Sequence, residues 1–114
     1  MALGIDTLFA QIAIELKLPF IAALPCVNQA ALWKQDSIYL WKELTGHKLC
    51  TIVYPNGTVF YTGPQQMQKR NEWMVDNCDV LIAVWDGSPG GTANCIKYAE
   101  DKVDTIIRID PKQM

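Results

Sequence analysis

Residues 80–92 read VLIAVWDGSPGGT, an apolar run followed by a glycine-rich turn that ends in a threonine. The apolar residues predict a buried strand, and the glycines allow a tight turn into a following helix. Thr92 can cap that helix, whose first N–H groups and positive dipole end would then face the turn. The stretch therefore predicts a strand–turn–helix unit that suits an anionic group, although any α/β protein needs turns of this shape.

Helices and strands alternate on both sides of this unit. Apolar spacing predicts helices over 6–18, 30–44, 63–77 and 92–102, and apolar runs predict strands over 20–24, 49–54, 80–85 and 105–109. Asp6 or Thr7 is expected to cap the first helix, and Asn56-Gly57 admits a short β-excursion within 54–61. The order predicts an α/β, Rossmann-like fold with a mainly parallel sheet of about four strands and helices on both faces.

The first predicted helix places five apolar residues on one stripe. These are Leu8, Phe9, Ile12, Ala13 and Leu16. Three loops follow predicted strands, over residues 25–29, 54–62 and 86–92. We expect them to converge, because ligands of such folds bind outside the carboxyl ends of the strands.

Size and composition are those of one small domain, which we take to span residues 1–114. Half of the 114 residues are hydrophobic, so the chain can bury about 65% of its unfolded surface in a single core. Ten basic residues against twelve acidic ones, with no cluster of either sign, disfavour duplex nucleic acid as a partner. The absence of a long uncharged apolar run and of a signal-like start predicts a cytoplasmic protein without membrane contact.

The four cysteines include no Cys-x-x-Cys pair. Neither a metal site nor a disulfide framework is therefore expected, and we read the cysteines mostly as buried thiols. The single histidine, His47, follows a glycine at a helix end, which makes a histidine-dependent catalytic triad improbable. No catalytic residue, metal or cofactor is predicted from these residue types.

Four stretches in order along the chain resemble one family, the SLOG superfamily, named for its Smf/DprA and Lonely Guy members. They are residues 1–6 before the first helix, residues 19–25, Arg70-Asn71 with residues 74–76, and residues 80–92. The similarity covers nearly the whole chain and is greatest to the short bacterial and phage branch of YpsA-like proteins. The resemblance implies a Rossmann-like domain that binds nucleotides or nucleotide-derived ligands, including ADP-ribose-type signals.

The chain departs from this family in two places. Lonely Guy enzymes carry a glutamate three residues after the threonine of their glycine motif, and this chain has Cys95 there. A thiol cannot grip two ribose hydroxyls as a carboxylate does, which argues against hydrolysis by that route. Relatives also carry a strand, a helix and another strand before the turn at which this chain begins. We therefore expect an open sheet edge or face that another subunit covers, in a homo-oligomer with ligand sites near the interface.

The candidate ligand-binding residues come from the resemblance and from the turn. Arg70, beside Asn71, matches an arginine near the family's ligand and could grip a phosphate, or it could be a solvated helix charge. Asp86 could accept a ribose hydroxyl or only cap the turn, and Trp33 could stack on a base or pack in the core. The full set is Gly4, Asp6, Trp33, Arg70, Asn71, Asp86, Gly87, Gly90, Gly91, Thr92 and Asn94. The three glycines of the turn are expected to be needed for its shape whatever it holds.

Three functions remain open on this sequence. The first is non-catalytic binding of a cyclic nucleotide or ADP-ribose-type signal, in which case a phage-encoded sponge sequestering a bacterial immune signal is one biological role. The alternative is a nucleotide N-glycosidase in which Asp86 or Glu100 replaces the missing carboxylate. The third is a protein-interaction module that has kept the fold and lost the ligand.

Overall fold

The computed structural model describes residues 4–113, which form two compact units divided between Tyr61 and Thr62. The first unit contains helices α1 (Ile5–Glu15) and α2 (Gln35–Thr45) and strands β1 (Phe20–Ala23) and β2 (Cys50–Val53). The second contains helices α3 (Gln65–Asp76) and α4 (Gly91–Ala99), strands β3 (Val80–Val84) and β4 (Thr105–Ile109), and a 3-10 turn at Pro111–Gln113. All eight predicted helices and strands are present, in the predicted order.

The strands pair in parallel as two sheets of two. In the first unit Phe20 lies opposite Cys50, and in the second Val80 lies opposite Thr105. Each pair is joined by one helix, α2 or α4, which returns the chain alongside the strand it left. The α/β class and the parallel pairing are confirmed, whereas one hydrogen-bonded sheet of four strands is not what the described residues form.

Each unit has a small apolar core on one face of its sheet. In the first unit, Ala10 of α1 and Leu44 of α2 pack with Ala22 and Leu24. In the second, Val75 of α3 packs with Ala99 and Val103 and against Leu81 and Ile106 of the sheet. Both helices of a unit thus cover the same face of its two strands, so the expected helices on both faces are not found within either unit.

The opposite face of each sheet is open. In the first unit Ile21 is 60% exposed, and in the second Ile82 and Ile107 are 57% and 45% exposed. Ile21 is followed in the strand by the core residue Ala22, and Ile82 by the buried Ala83, so these side chains point away from the core faces. Parallel strands are ordinarily covered on both faces, so apolar residues on these open faces mark surfaces that favour further burial.

Helix α1 also turns its large side chains away from the core. Ala10 and Ala13 are buried, whereas Leu8, Phe9, Ile12 and Leu16 are between 45% and 62% exposed. Four members of the predicted stripe are therefore exposed, whereas Ala13 is buried, and the core contact is made by Ala10 and Ile14 on another face of the helix.

Two predicted helix caps are wrong, and both are replaced by glycine. The residues that precede the first helical turns of α1 and α4 are Gly4 and Gly90, and neither Asp6, Thr7 nor Thr92 caps its helix. Gly4 has φ +80° and Gly90 φ +145°, conformations in which a residue with a Cβ is strained. The helices start earlier than polar caps would place them because the chain enters both through these backbone angles.

The Asn56-Gly57 segment forms a turn and not a hairpin. The Gly57 N–H donates to the Tyr54 carbonyl at 2.9 Å with Gly57 at φ +85°, and no strand follows before α3 in the described chain. Within residues 4–113, no helix has the length and apolar character needed to cross a membrane.

Candidate functional site

The turn between β3 and α4 is held by its own side chains. One oxygen of the Asp86 carboxylate, Oδ1, accepts hydrogen bonds from the Ser88 backbone N–H at 3.0 Å and from the Ser88 hydroxyl at 2.6 Å. The Trp85 indole N–H donates to the Ser88 carbonyl at 2.7 Å, and the Trp85 backbone N–H donates to Ile109 of β4 at 2.9 Å. Internal hydrogen bonds therefore hold the shape of this turn.

Helix α4 begins immediately beyond this turn without a side-chain cap. The first helical hydrogen bond runs from the Asn94 N–H to the Gly90 carbonyl at 3.0 Å. The N–H groups of Gly91, Thr92 and Ala93 precede that bond and point out of the helix start, where the positive end of the helix dipole lies. A phosphate can accept hydrogen bonds from such a set of N–H groups.

The glycines leave open space above the backbone. A Cβ placed on Gly87, Gly90 or Gly91 would meet no atom within 4 Å. Gly87 and Gly90 have positive φ angles, so the turn does need glycine there, but Gly91 does not. The expectation that the turn needs all three is therefore wrong for Gly91, whose lack of a side chain serves neither the backbone conformation nor internal packing.

Asp86 contributes a permanent negative charge at the entrance of this turn. The Ser88 hydroxyl, and after it the Ser88 N–H, stabilise the ionised form and lower the pKa of Asp86 below its ordinary value. Its role in capping the turn is confirmed, and its Oδ1 is engaged in that role. The second carboxylate oxygen, Oδ2, can still accept a hydrogen bond from a hydroxyl group. A carboxylate whose pKa is lowered is a poor proton donor, so Asp86 does not suit the role of general acid.

Arg70 lies on α3 and is buried, with only 7% of its surface exposed. The alternative of a solvated helix charge is therefore wrong. Its Nε donates to the side-chain oxygen of Asn71 at 2.9 Å, which orients the guanidinium. A buried, oriented guanidinium is the form in which arginine best recognises a planar anion.

Arg70 and the start of α4 are at the same level of the second unit. Helices α3 and α4 both run opposite to β3, one before it and one after it, and are therefore parallel to each other. Near their carboxyl ends the Tyr98 hydroxyl donates to Asp76 at 2.9 Å. Six residues back along each helix, about 9 Å, lie Arg70 and Thr92. The helix pairing thus brings these two predicted residues to the same end.

Helix α4 also fixes the positions of Cys95, which stands where Lonely Guy enzymes have glutamate, and of Glu100, a candidate replacement for that carboxylate. Cys95 is half-buried and packs against the apolar cluster of the second unit, so it occupies a core position. Glu100 follows the end of α4, about 15 Å from Gly90 along the helix, and pairs with Arg108 at 3.9 Å. Neither side chain lies at the glycine turn in a position to do what the glutamate of Lonely Guy enzymes does.

Three predicted site residues belong to the first unit. Gly4 precedes α1, Asp6 lies in the first turn of that helix, and Trp33 is half-buried in the turn before α2, with its N–H donating to Ala30 at 3.1 Å. The other eight lie on α3, in the turn and at the start of α4. That all eleven share one ligand stays a prediction.

Two of the three loops expected to converge do so within the first unit. The Val27 N–H donates to Val59 at 2.8 Å, the Tyr61 N–H donates to the Asn28 side chain at 2.8 Å, and Asn56 donates to Pro25 at 3.1 Å. These bonds join the loop after β1 to the loop after β2, at the carboxyl ends of both strands.

Sequence reasoning missed the aromatic residues on the second of these loops. Phe60 is 69% and Tyr61 49% exposed, next to the strand ends where ligands of parallel sheets bind. Because they follow Asn-Gly in an apolar run, the sequence leaves a short β-excursion open over these residues, and they are not among the candidate ligand residues. A run that alternates poorly between polar and apolar residues was the available signal for an exposed loop.

Comparison with known proteins adds one short similarity. No known family's sequence profile matches the chain. Over 37 residues the chain is 54% identical to YoqJ of Bacillus subtilis (strain 168), an uncharacterized protein derived from the SPbeta prophage. The match covers 32% of this chain and 22% of the YoqJ sequence, so the chain spans about a fifth of that protein. Within residues 4–113 no group of three or more histidine, cysteine or acidic side chains could hold a metal ion.

Proposed function

We propose that this protein binds a nucleotide-derived ligand without converting it, as a SLOG-like domain. The observation that carries this proposal is the open space above Gly91, where a residue with ordinary backbone angles has no side chain and no neighbour within 4 Å. Neither strain nor packing requires glycine there. Close approach of a ligand to the backbone would give the position a reason to be glycine.

The ligand's phosphate would lie at the start of α4. Its oxygens would accept hydrogen bonds from the N–H groups of residues 91–93 and from the Thr92 hydroxyl and Asn94 amide, with Arg70 supplying the positive charge. A ribose hydroxyl would donate to Oδ2 of Asp86. The fixed charge of Asp86 favours a ligand that presents a hydroxyl beside its phosphate over a bare phosphate, and a nucleotide does so.

The wider setting belongs to the same proposal. We place the domain among Rossmann-like α/β folds and expect it to act in the cytoplasm of a bacterial host. The similarity to a prophage-derived protein supports a phage origin. A phage protein that holds a cyclic nucleotide or ADP-ribose-type signal without turnover would act as a sponge against a defence system that uses the signal.

Hydrolysis of an N-glycosidic bond fits the turn less well. The reaction needs a carboxylate at the ribose and a group that protonates the leaving base. Asp86 is ionised and engaged with Ser88, and Cys95 and Glu100 are placed elsewhere. Non-catalytic binding needs only the N–H groups at the start of α4, the Arg70 guanidinium and the open space above Gly91.

The first experiment is a binding screen followed by identification of what is retained. The protein is incubated with nucleoside monophosphates, cyclic dinucleotides and cyclic ADP-ribose isomers, filtered, denatured, and its retained molecules identified by mass spectrometry. Intact ligand supports the proposal. Release of free base, or retention of nothing from the whole panel, contradicts it.

A single methyl group then tests the assigned position. Gly91→Ala should weaken binding of the retained ligand at least tenfold while leaving the thermal midpoint unchanged or higher, since alanine favours the helix. Gln35→Ala, at the first residue of α2, puts alanine at the same helix position in the other unit and is the matched control. Full affinity in Gly91→Ala would place the ligand elsewhere.

A further inference from the structure

Helix α1 presents a continuous apolar stripe to solvent. Its members recur at the spacing of one helix face, within an arc of about 100°. They are Ile5 (48% exposed), Leu8 (50%), Phe9 (62%), Ile12 (45%) and Leu16 (62%). Leu18, just beyond the helix, is 53% exposed. Another face of the helix, with Ala10 and Ile14, already makes the contact with the core, so this stripe is unused by the first unit's own packing.

We propose that the α1 stripe is the contact surface of a homodimer, in which the α1 helices of two copies pack antiparallel about a two-fold axis. This assigns a surface and a symmetry, and it does not depend on the ligand proposed above. The axis passes between residues 10 and 11, so that Phe9 of one copy meets Ile12 of the other and Ile5 meets Leu16. An apolar stripe that is complementary to itself in this way is what a two-fold interface requires.

The area of the stripe matches such a contact. Each of the five half-exposed side chains has on the order of 100 Å² of accessible surface. Two copies would therefore bury about 1,000 Å² from the stripe alone, which is near the lower bound for specific interfaces. Leu18 and the flanking polar residues would add to this. On one copy the stripe amounts to about 500 Å², the size of the largest apolar patch on a typical monomer, and patches of that size often serve as interaction surfaces.

The charges beside the stripe favour another protein surface over a membrane. Within the helix the flanking charged residues are Asp6 and Glu15, and α1 carries no basic residue. Helices that lie on anionic lipid surfaces instead carry lysine and arginine along their polar face. The polar flanks suit the rim of a protein interface, which stays in contact with water.

Sedimentation equilibrium of the full chain at micromolar concentration tests the proposal. Wild type should be a dimer, or a larger assembly built from dimers, and Phe9→Asp and Ile12→Asp should each weaken the association about thirtyfold or more, as substitution at a central apolar contact does. Tyr39→Asp is the matched control, because Tyr39 is 71% exposed on α2 and lies off the stripe. Circular dichroism establishes that each variant is folded.

A monomeric wild type would overturn the proposal, and so would an assembly that survives both α1 substitutions or dissociates equally in Tyr39→Asp. A folded monomer that binds anionic vesicles through α1 would assign the stripe to a lipid surface instead. Antiparallel pairing is tested separately with Phe9→Cys/Ile12→Cys, in which oxidation should join the two chains covalently through these positions. Absence of that cross-link in a confirmed dimer would overturn the antiparallel arrangement.

Discussion

The chain passes from a parallel strand to its crossover helix twice, and the two connections are built in opposite ways. After β1 the connection is long and partly buried: Leu24 and Cys26 are fully buried, Ala30 is 5% exposed, and backbone and side-chain bonds join the loop to its neighbour after β2. After β3 the connection is short, with residues 86–90 all exposed. Its internal support comes from the bonds around Ser88.

This difference predicts that the first connection serves folding and the second serves ligand binding. The loop after β1 completes the core of the first unit, so changes in it should cost folding free energy. The turn after β3 leaves N–H groups and space in front of a helix start, so changes in it should affect a ligand more than the fold. Substitutions that separate stability from binding are therefore the sharpest way to test this comparison.

The largest expected effect is at Leu24, the first residue of the connection after β1. It is fully buried in the first unit's cluster, so Leu24→Ala should lower the free energy of unfolding by about 2–5 kcal/mol through lost burial and the cavity left behind. Urea denaturation measures it. Leu32→Ala, in the same connection but 99% exposed, is the control and should change stability by less than about 0.5 kcal/mol. Equal effects at the two positions would show that this connection is not part of the core.

The second effect is conformational and lies in the turn after β3. Gly90→Ala forces a Cβ into φ +145°, which should cost about 1–3 kcal/mol although the added atom meets nothing within 4 Å. Gly91→Ala adds the same atom at ordinary angles and should be neutral or stabilising by up to about 1 kcal/mol. Thermal unfolding of the two variants side by side gives the difference. Equal destabilisation of both would mean that Gly91 serves the fold after all.

The eight elements could be predicted from sequence because each depends on local periodicity. The 3.6-residue spacing in α2 and the apolar runs of β3 and β4 are visible without any partner. Strand pairing could not be predicted in the same way, since the choice between one sheet of four and two of two depends on contacts between distant segments. The α1 stripe shows the same limit: the spacing reveals a face, but not whether that face meets the core or solvent.

The candidate site divides along the same line. The glycine turn and its helix were predictable from residues 80–92, and the turn-capping role of Asp86 was one of two alternatives. The cap predictions were wrong because they relied on Ser, Thr and Asp, the usual cap residues. Gly4 and Gly90 instead begin the helices through backbone angles that the sequence does not display. The burial of Arg70 could not be predicted, because Arg70 stands beside a lysine and close to a glutamate and its burial depends on how α3 packs.

A smaller effect is expected where the two loops of the first unit are joined. Asn28→Ala removes the acceptor of the Tyr61 N–H and should cost about 1 kcal/mol, with faster hydrogen exchange at Tyr61. Asn28→Asp keeps an oxygen at the same place and should retain most of the protection. If alanine and aspartate behave alike, the bond does not hold the loops together, and the first connection is fastened by its buried side chains alone.

The smallest effect is electrostatic and concerns the support of the turn after β3. Because the folded-state pKa of Asp86 is lowered, its ionised form adds stability at pH values above the ordinary pKa near 3.8, and that contribution disappears as pH falls through the folded value. Ser88→Ala removes the hydroxyl that is the largest cause of the shift, so the Asp86 pKa should rise toward its ordinary value. Carboxyl NMR titration of the two proteins measures this directly.

Ser88→Thr keeps the hydroxyl and should keep the lowered pKa of Asp86. If Ser88→Ala leaves the pKa unchanged, the charge at the entrance of the turn is stabilised by the backbone rather than by the serine side chain. The turn would then hold its carboxylate through the same kind of group, the N–H, that it is proposed to offer to a phosphate.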